Sequence, residues 1–374
     1  MARSVKKIRF GVVGSNFITD RIIAAGRLDP RFELAGLYSR TPERATEYSA
    51  LHAIPHVFPT LEDMAASPDI DAVYIASPNA LHAPQSILCL DAGKHVLCEK
   101  PLASNAREAR EMAEASRRNN RTLMEAMKPT LTPNFRRIWE SLPRVGKVRR
   151  YFAAFGKYSS RYDDLKGGEL PNAFNPAMAN GAAMDIGVYP IYPMVALFGA
   201  PQKIQSNVVM LPSGVDGHGA INFTYSFGEM IATVLYSKMV DMALPWEIEG
   251  EEGTIRGNAI NSIMNIEFRR RNSGGNTRSG GNAHSGGNAH GGLSVGGNAH
   301  GGGGYSSEGG WENITVPGHC GNDYFYEIAH FIDLIESGRV ESPVNSHDAS
   351  ISTLAIVDEL RLQHNISYPA DKLI

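Results

Sequence analysis

The chain has 374 residues, with 36 Lys and Arg against 39 Asp and Glu, a net charge of -3, 43% hydrophobic and 20% charged residues. That length exceeds what one core sustains and predicts two domains, while the near-neutral balance gives no basis for a nucleic-acid or membrane partner. Three widely spaced cysteines, Cys89, Cys98 and Cys320, argue against a disulfide framework or zinc ribbon and for a reducing compartment.

Residues 1–7 carry charge without the apolar stretch of a signal peptide, and no run approaches about 18 apolar residues, so the expected location is cytoplasmic. From 8 to 128 short apolar runs alternate with helical patterns. Strands are expected over 8–13, 33–38, 71–76, 96–98 and 121–125, and helices over 18–27, 42–50, 81–91 and 106–119. Strands separated by helices of this length predict βαβ units and a parallel doubly wound sheet. The first domain is therefore placed at 1–128.

Beyond 129 the pattern becomes strand-rich, with strands expected over 147–155, 203–210, 219–227, 229–236, 246–250, 253–257 and 263–269. Phe227-Gly228-Glu229 and Gly250-Glu251-Glu252-Gly253 read as hairpin turns, which predicts a large antiparallel sheet with one face free for association. Helices are expected over 134–142, 185–198, 323–337 and 347–365, giving a second, α/β domain over 129–374. Within it, 272–310 is glycine-dominated and repeats Gly-Gly-Asn-Ala-His at 280–284, 286–290 and 296–300. Such a composition buries too little apolar surface to offset its ordering entropy, so it reads as a disordered insertion and not as a metal site of His284, His290 and His300.

Three stretches carry chemistry. The first βα turn, Gly11-Val12-Val13-Gly14-Ser15-Asn16-Phe17-Ile18-Thr19, has a dinucleotide-binding pattern in which backbone approaches a pyrophosphate at a helix N-terminus. Asn16 and Thr19 stand where further small residues are usual, and asparagine suits a positive φ if one is needed. The second strand ends in Ser39-Arg40-Thr41, with Arg44 one turn later and no acid, which favours the 2′-phosphate of NADP over the ribose of NAD. Second, Glu99-Lys100-Pro101 follows a buried parallel strand, where open α/β sheets keep their ligand crevice, and Pro101 restricts Lys100 and admits a cis bond. Third, in Asn180–Tyr189 the side chains of Asp185 and Tyr189 are spaced i, i+4 and share a helix face. A nearby ammonium such as Lys100 is expected to lower the Tyr189 phenol and make it a proton donor. Arg161, Tyr162, Asn172 and Asn175 lie in a polar, aromatic-containing loop before Asp185 that suits a substrate-pocket wall.

These stretches, with Tyr74-Ile75-Ala76-Ser77-Pro78-Asn79-Ala80-Leu81-His82 and the closing Tyr326–Phe331 and Asp358–Arg361 segments, together resemble the Gfo/Idh/MocA oxidoreductases. The resemblance spans the chain outside the glycine-rich insertion. It implies a Rossmann domain, then an α+β domain whose open sheet supports a homodimer or homotetramer. It also implies NADP- or NAD-dependent oxidation or reduction of a sugar, polyol or related hydroxyl compound, with Lys100 catalytic, Asp185 orienting substrate and Tyr189 in the acid/base position. Cofactor contacts implied are Gly14, Ser15, Asn16, Phe17, Ile18, Ser39, Arg40, Arg44, Ser77, Pro78, Asn79, His82, Glu99 and Lys100. Lys128 joins Lys100, Asp185, Tyr189 and the loop residues as substrate contacts. The family often has histidine where Tyr189 stands; tyrosine is more similar to its glucose–fructose oxidoreductase and dihydrodiol dehydrogenase branch. The competing reading is a nucleotide- and sugar-binding sensor of the same fold without turnover.

Overall fold

A computed structural model describes residues 6–225, 228–271, 310–318 and 321–372. The Gly-Gly-Asn-Ala-His repeats and Cys320 lie outside the described residues. The first half runs β1 (Ile8–Val13), α1 (Phe17–Gly26), β2 (Phe32–Tyr38), α2 (Pro42–His52), β3 (His56–Phe58), α3 (Leu61–Ala66), β4 (Ala72–Ile75), α4 (His82–Asp91), β5 (His95–Glu99), α5 (Ala106–Asn119) and β6 (Leu123–Ala126). The strands form a six-stranded parallel sheet in the order β3-β2-β1-β4-β5-β6. β4 and β6 are buried at every position, as strands covered by helices on both faces must be. β3 and α3 were not anticipated: the strand is three residues long and exposes His56 and Val57, so it carries little apolar signal.

Helix α5 shows how the local sequence seats these elements. Asn105 caps it by accepting from the Glu108 amide at 2.9 Å, and Ala106, Ala109, Met112, Ala113 and Ser116 form its buried face. Asn120 ends it in the left-handed region at φ 49°.

The second half runs α6 (Pro133–Val145), β7 (Val148–Gly156), α7 (Tyr162–Lys166), a π-helical turn (Ala183–Gly187), α8 (Val188–Phe198), β8 (Lys203–Met210), β9 (Asp216–Tyr225), β10 (Met230–Ser237), β11 (Trp246–Gly250), β12 (Gly253–Asn258), β13 (Met264–Arg270), β14 (Glu312–Asn313), α9 (Tyr324–Glu336) and α10 (His347–Gln363). Its eight strands are ordered β14-β13-β12-β11-β7-β10-β9-β8. β9 pairs antiparallel with β10 and β11 with β12, as the two expected hairpins require, with Phe227 of the first turn outside the described residues. The sheet departs from pure antiparallel pairing at its centre, where β10 runs parallel to β7. Beyond the insertion the sheet is continued only by the two residues of β14, paired with β13.

The closing helices return to the first sheet. Ile328, Phe331 and Ile332 of α9 share a core with Ile8, Phe10 and Ile22, and Asp358 of α10 accepts from the Ala106 amide at 2.8 Å. The stretch Pro176–Phe198 is long and apolar enough to cross a membrane by length and composition alone, which the sequence reading had not foreseen. Two thirds of its most apolar window is buried inside the fold (67%), the pattern of a core helix.

Candidate active site

The carboxyl ends of β1, β2 and β4 enclose a cavity of about 330 Å³ lined by eight of the expected cofactor residues: Gly14, Ser15, Asn16, Ser39, Arg40, Arg44, Ser77 and Pro78. Gly14 has φ +99°, and a Cβ there would stand 2.8 Å from the Ala76 carbonyl oxygen. Asn16 does not use the positive φ it was suited to; at φ -125° it is extended and caps α1, accepting from the Ile18 and Thr19 amides at 3.0 and 3.3 Å. Its Nδ2 donates to Ala76 O at 2.8 Å, tying the turn to β4, so capping explains the residue better than backbone freedom. A cationic rim, a polar floor and a backbone too close for any Cβ fit a dinucleotide phosphate. Gly14→Ala is expected to cost about 1–2 kcal/mol of stability and to weaken nucleotide binding, measured by thermal unfolding and NADPH fluorescence titration.

The remaining expected cofactor residues sit apart from that cavity wall. Phe17 and Ile18 begin α1, with Phe17 70% exposed. Asn79 reaches across the chain, donating to Ala179 O at 2.9 Å and Asn180 Oδ1 at 3.1 Å. His82 is buried, with its ring nitrogens 2.8 Å from both Pro101 O and Ser77 O, so it staples the loop after β4 to the loop that carries Lys100.

Lys100 follows β5, and its bond to Pro101 is cis. Its Nζ lies 2.9 Å from Asp185 Oδ1, 3.3 Å from Asp185 O and 5.1 Å from the Tyr189 ring centroid. The expected i, i+4 helix face is modified: Asp185 lies in the π-helical turn and Tyr189 in the first turn of α8, and Lys100 contacts both across that junction. The turn is anchored where Ala183 N donates to Asp216 Oδ2 at 2.7 Å and where Gly187 packs on the Tyr236 ring. Behind Lys100, Glu99 accepts from the Tyr74 hydroxyl at 2.6 Å and the Lys100 amide at 3.2 Å, while Glu125 accepts from Leu102 N at 3.0 Å.

Burial alone would raise the Asp185 carboxyl, but Lys100 and Lys238 outweigh it and hold it well below the usual carboxylate range. Burial likewise opposes the Lys100 charge, yet Asp185, Tyr189 and Glu99 keep its pKa above that of an ordinary lysine. For Tyr189 the expected lowering fails: burial pushes the phenol up, and the pull of Lys100 only partly offsets it. At neutral pH the site thus holds an ammonium, a carboxylate and a neutral phenol.

The loop residues are placed differently from the expectation. Arg161 is exposed and pairs with Asp164 at 3.4 Å, Asn172 is exposed, and Asn175 turns inward on its own loop to accept from Ala177 N at 2.9 Å. It is their neighbours, Ala173 and Phe174, that reach the cluster, through Lys238. Lys128 is buried, its Nζ 3.2 Å from both Ser262 Oγ and Asp323 Oδ2 and 5.0 Å from the Tyr324 ring centroid.

Comparison with known proteins decides the family. Residues 8–127 match an oxidoreductase family with an NAD-binding Rossmann fold, and residues 143–256 match the GFO/IDH/MocA C-terminal domain. Scyllo-inositol 2-dehydrogenase (NADP(+)) IolU of Bacillus subtilis is 42% identical over 98% of this chain and 99% of its own. The chain belongs to the Gfo/Idh/MocA family. It is thus a pyridine-nucleotide-dependent oxidoreductase acting on hydroxyl or carbonyl groups. Human trans-1,2-dihydrobenzene-1,2-diol dehydrogenase is 30% identical over 67% of this chain and 74% of its own. A levoglucosan dehydrogenase in complex with NADH and levoglucosan superposes with a TM-score of 0.77 at 19% identity, covering 96% of this chain and 98% of that one.

Within this Gfo/Idh/MocA frame three residues beside the site were missed from the sequence. Lys238, at the end of β10, is 2% exposed and lies 2.8 Å from Asp185 Oδ2. Tyr324 carries two cations over its ring, Lys128 and Arg21, whose guanidinium is 5.8 Å from the ring centroid. Glu327, one turn along α9, is fully buried with neither carboxylate oxygen hydrogen-bonded to a described residue. A lysine directly after a strand was the signal used for Lys100; applied to Ser237-Lys238 it would have found the second ammonium.

Proposed function

We propose that this enzyme is an NADP-preferring dehydrogenase of a cyclic polyol or sugar, with Lys100, Asp185 and Tyr189 as the reacting constellation. The observation carrying this reading is the 2.9 Å contact between Lys100 Nζ and Asp185 Oδ1, with the Tyr189 ring 5.1 Å away, beside a cavity suited to the nucleotide. Arg40 and Arg44 on the cavity rim, without an acid, support NADP, as does the NADP(+)-dependent relative. That relative acts on scyllo-inositol, which supports a ring bearing several hydroxyls.

Bound nicotinamide supplies or takes the hydride. Asp185, held ionised, accepts from a substrate hydroxyl next to the reacting carbon and fixes the ring. Lys100 donates to the reacting oxygen and stabilises the negative charge that develops there. Tyr189 exchanges the proton: it gives one to the oxygen in carbonyl reduction and receives one, directly or through water, in alcohol oxidation. Both Lys100 and Tyr189 are held protonated, so the reductive direction needs no prior ionisation and the oxidative one does. Because both groups are held above their ordinary values, oxidative kcat/KM is expected to go on climbing with pH past the range of a free phenol without levelling off, while the reductive value stays flat over the same range. Parallel profiles in the two directions would remove Tyr189 from the proton transfer.

We further read residues 1–128 as the nucleotide domain and 129–374 as the substrate and assembly domain. Ile231 and Val209, 50% and 47% exposed on the open face of the second sheet, support a homo-oligomer. The buried unpaired thiols of Cys89 and Cys98 support a reducing, cytoplasmic setting. The direct test mixes the protein with NADP or NAD and a panel of inositols and sugars and follows reduced-nicotinamide absorbance. Turnover of a cyclic polyol or sugar with NADP is expected; nucleotide binding without turnover across the panel would favour the sensor.

A further inference from the structure

The ammonium of Lys238 is almost wholly withdrawn from water, a costly placement unless the charge is paired. It follows β10 directly, as Lys100 follows β5, and the two meet Asp185 from opposite sides: Oδ1 takes Lys100 at 2.9 Å and Oδ2 takes Lys238 at 2.8 Å. A second Lys238 proton goes to Ala173 O at 2.9 Å, and the Phe174 ring centroid lies 4.6 Å from the ammonium. One carboxylate is thus clamped between two cations, one of which also grips the loop before it.

The clamp has a chemical consequence. An ammonium has three donors. Lys100 directs two at Asp185, onto Oδ1 and the backbone oxygen, and keeps a third for the reacting oxygen. With Oδ2 occupied by Lys238, Asp185 cannot swing round to take Lys100 bidentately, so the third donor stays available. We propose that Lys238 is a positioning residue that locks Asp185 as an ionised, fixed acceptor for a substrate hydroxyl and leaves Lys100 free to act on the oxygen being oxidised or reduced.

The groups facing Asp185 are Lys100 and Glu99 at the end of β5, Lys238 just after β10 and Tyr189 from α8, while Asp216 from β9 and Tyr236 from β10 lie behind them, Asp216 against Lys238 and the Ala183 amide and Tyr236 against Asp216. Burial pushes Glu99, Asp216 and both phenols towards their neutral forms. The two lysines are what hold Asp185 ionised. Removing one of them raises the pH at which Asp185 protonates.

This inference rests on reading Lys100 and Asp185 as substrate-contacting groups, and the experiment separates the two. Lys238→Gln keeps an amide donor and loses the charge; Lys238→Arg keeps the charge. With scyllo-inositol and NADP, Lys238→Gln is expected to raise KM by ~10-fold or more, more than it lowers kcat. The acid limb of kcat/KM, held in the wild type below the usual carboxylate range, should move up towards that range, with NADPH affinity unchanged. Lys238→Arg should restore the limb. Independently of turnover, the Asp185 carboxyl, assigned in ¹³C NMR by its loss in Asp185→Asn, should titrate at higher pH in Lys238→Gln than in the wild type. Equal titration, or a wild-type limb and KM, overturns the role of Lys238. If Lys238→Gln does not fold, an acid limb displaced in Lys238→Arg overturns it, and an undisplaced limb supports it. Lys100→Met separates the readings: if it is inactive while Lys238→Gln is normal, only Lys238 is misassigned, whereas full activity in Lys100→Met removes the underlying site.

Discussion

Lys100→Met is expected to lower kcat/KM by ~10³–10⁴, about 4–5.5 kcal/mol of transition-state stabilisation, while NADPH affinity changes little. Methionine keeps most of the stem that lies along the cleft, so the loss reports the ammonium. Two effects vanish together: the donor to the reacting oxygen and the cation that favours negative charge there. The fold should survive, because Asp185 retains Lys238 at 2.8 Å and is not left as an unpaired buried carboxylate. His82 and Glu125 also still hold the Lys100–Leu102 backbone through Pro101 O and Leu102 N. The measurement is steady-state kinetics in both directions beside an NADPH titration and a thermal melt. Turnover within tenfold of wild type, with the melt unchanged, would strip Lys100 of its role.

The parts of the fold that were legible were those written in local pattern. Buried parallel strands such as β4 and β5 read as apolar runs and the helix over 106–119 as a helical pattern, and the structure adds the caps, Asn105 before it and Asn120 after it. β3 was lost because a three-residue edge strand with two exposed side chains leaves no periodicity. The parallel pairing of β7 with β10 was lost for another reason: strand direction is set by long-range topology, and hairpin turns suggest only antiparallel neighbours. At the site, Lys100, Asp185 and Tyr189 were legible as residue types after a strand or on a small-residue helix start. Their environment was not. Whether a phenol is lowered by an ammonium or raised by burial depends on how much protein covers it, and for Tyr189 the cover wins. Lys238 and Tyr324 reach the cluster from 138 and 224 residues beyond Lys100, so no spacing rule joins them. The loop at 161–175 was seen as close to the substrate, but its contacts come from Ala173 O and the Phe174 ring rather than from the polar side chains that drew attention.

Nucleotide preference gives the second large effect. The double variant Arg40→Ala, Arg44→Ala is expected to lower kcat/KM with NADP by ~10², with NAD nearly unaffected. Each charge-assisted contact to a phosphate contributes about 1.5–3 kcal/mol, and these exposed side chains sit at the low end. Arg44 is placed for this: its guanidinium reaches Ser15 O at 3.2 Å and lies over the Tyr48 ring at 5.7 Å, so it arches over the mouth of the cavity from α2. Arg40 enters from the end of β2, on the same rim. An exposed arginine pair is screened by salt, so the preference for NADP should shrink as ionic strength rises, whereas NAD kinetics should not move. Adding Ser39→Asp supplies the missing acid at the tip of β2, which repels a 2′-phosphate and offers a ribose hydroxyl an acceptor. The triple variant is therefore expected to prefer NAD outright. Equal losses with both nucleotides in the double variant would mean that the arginines serve the turn around Ser15, and that the 2′-phosphate is bound by other groups.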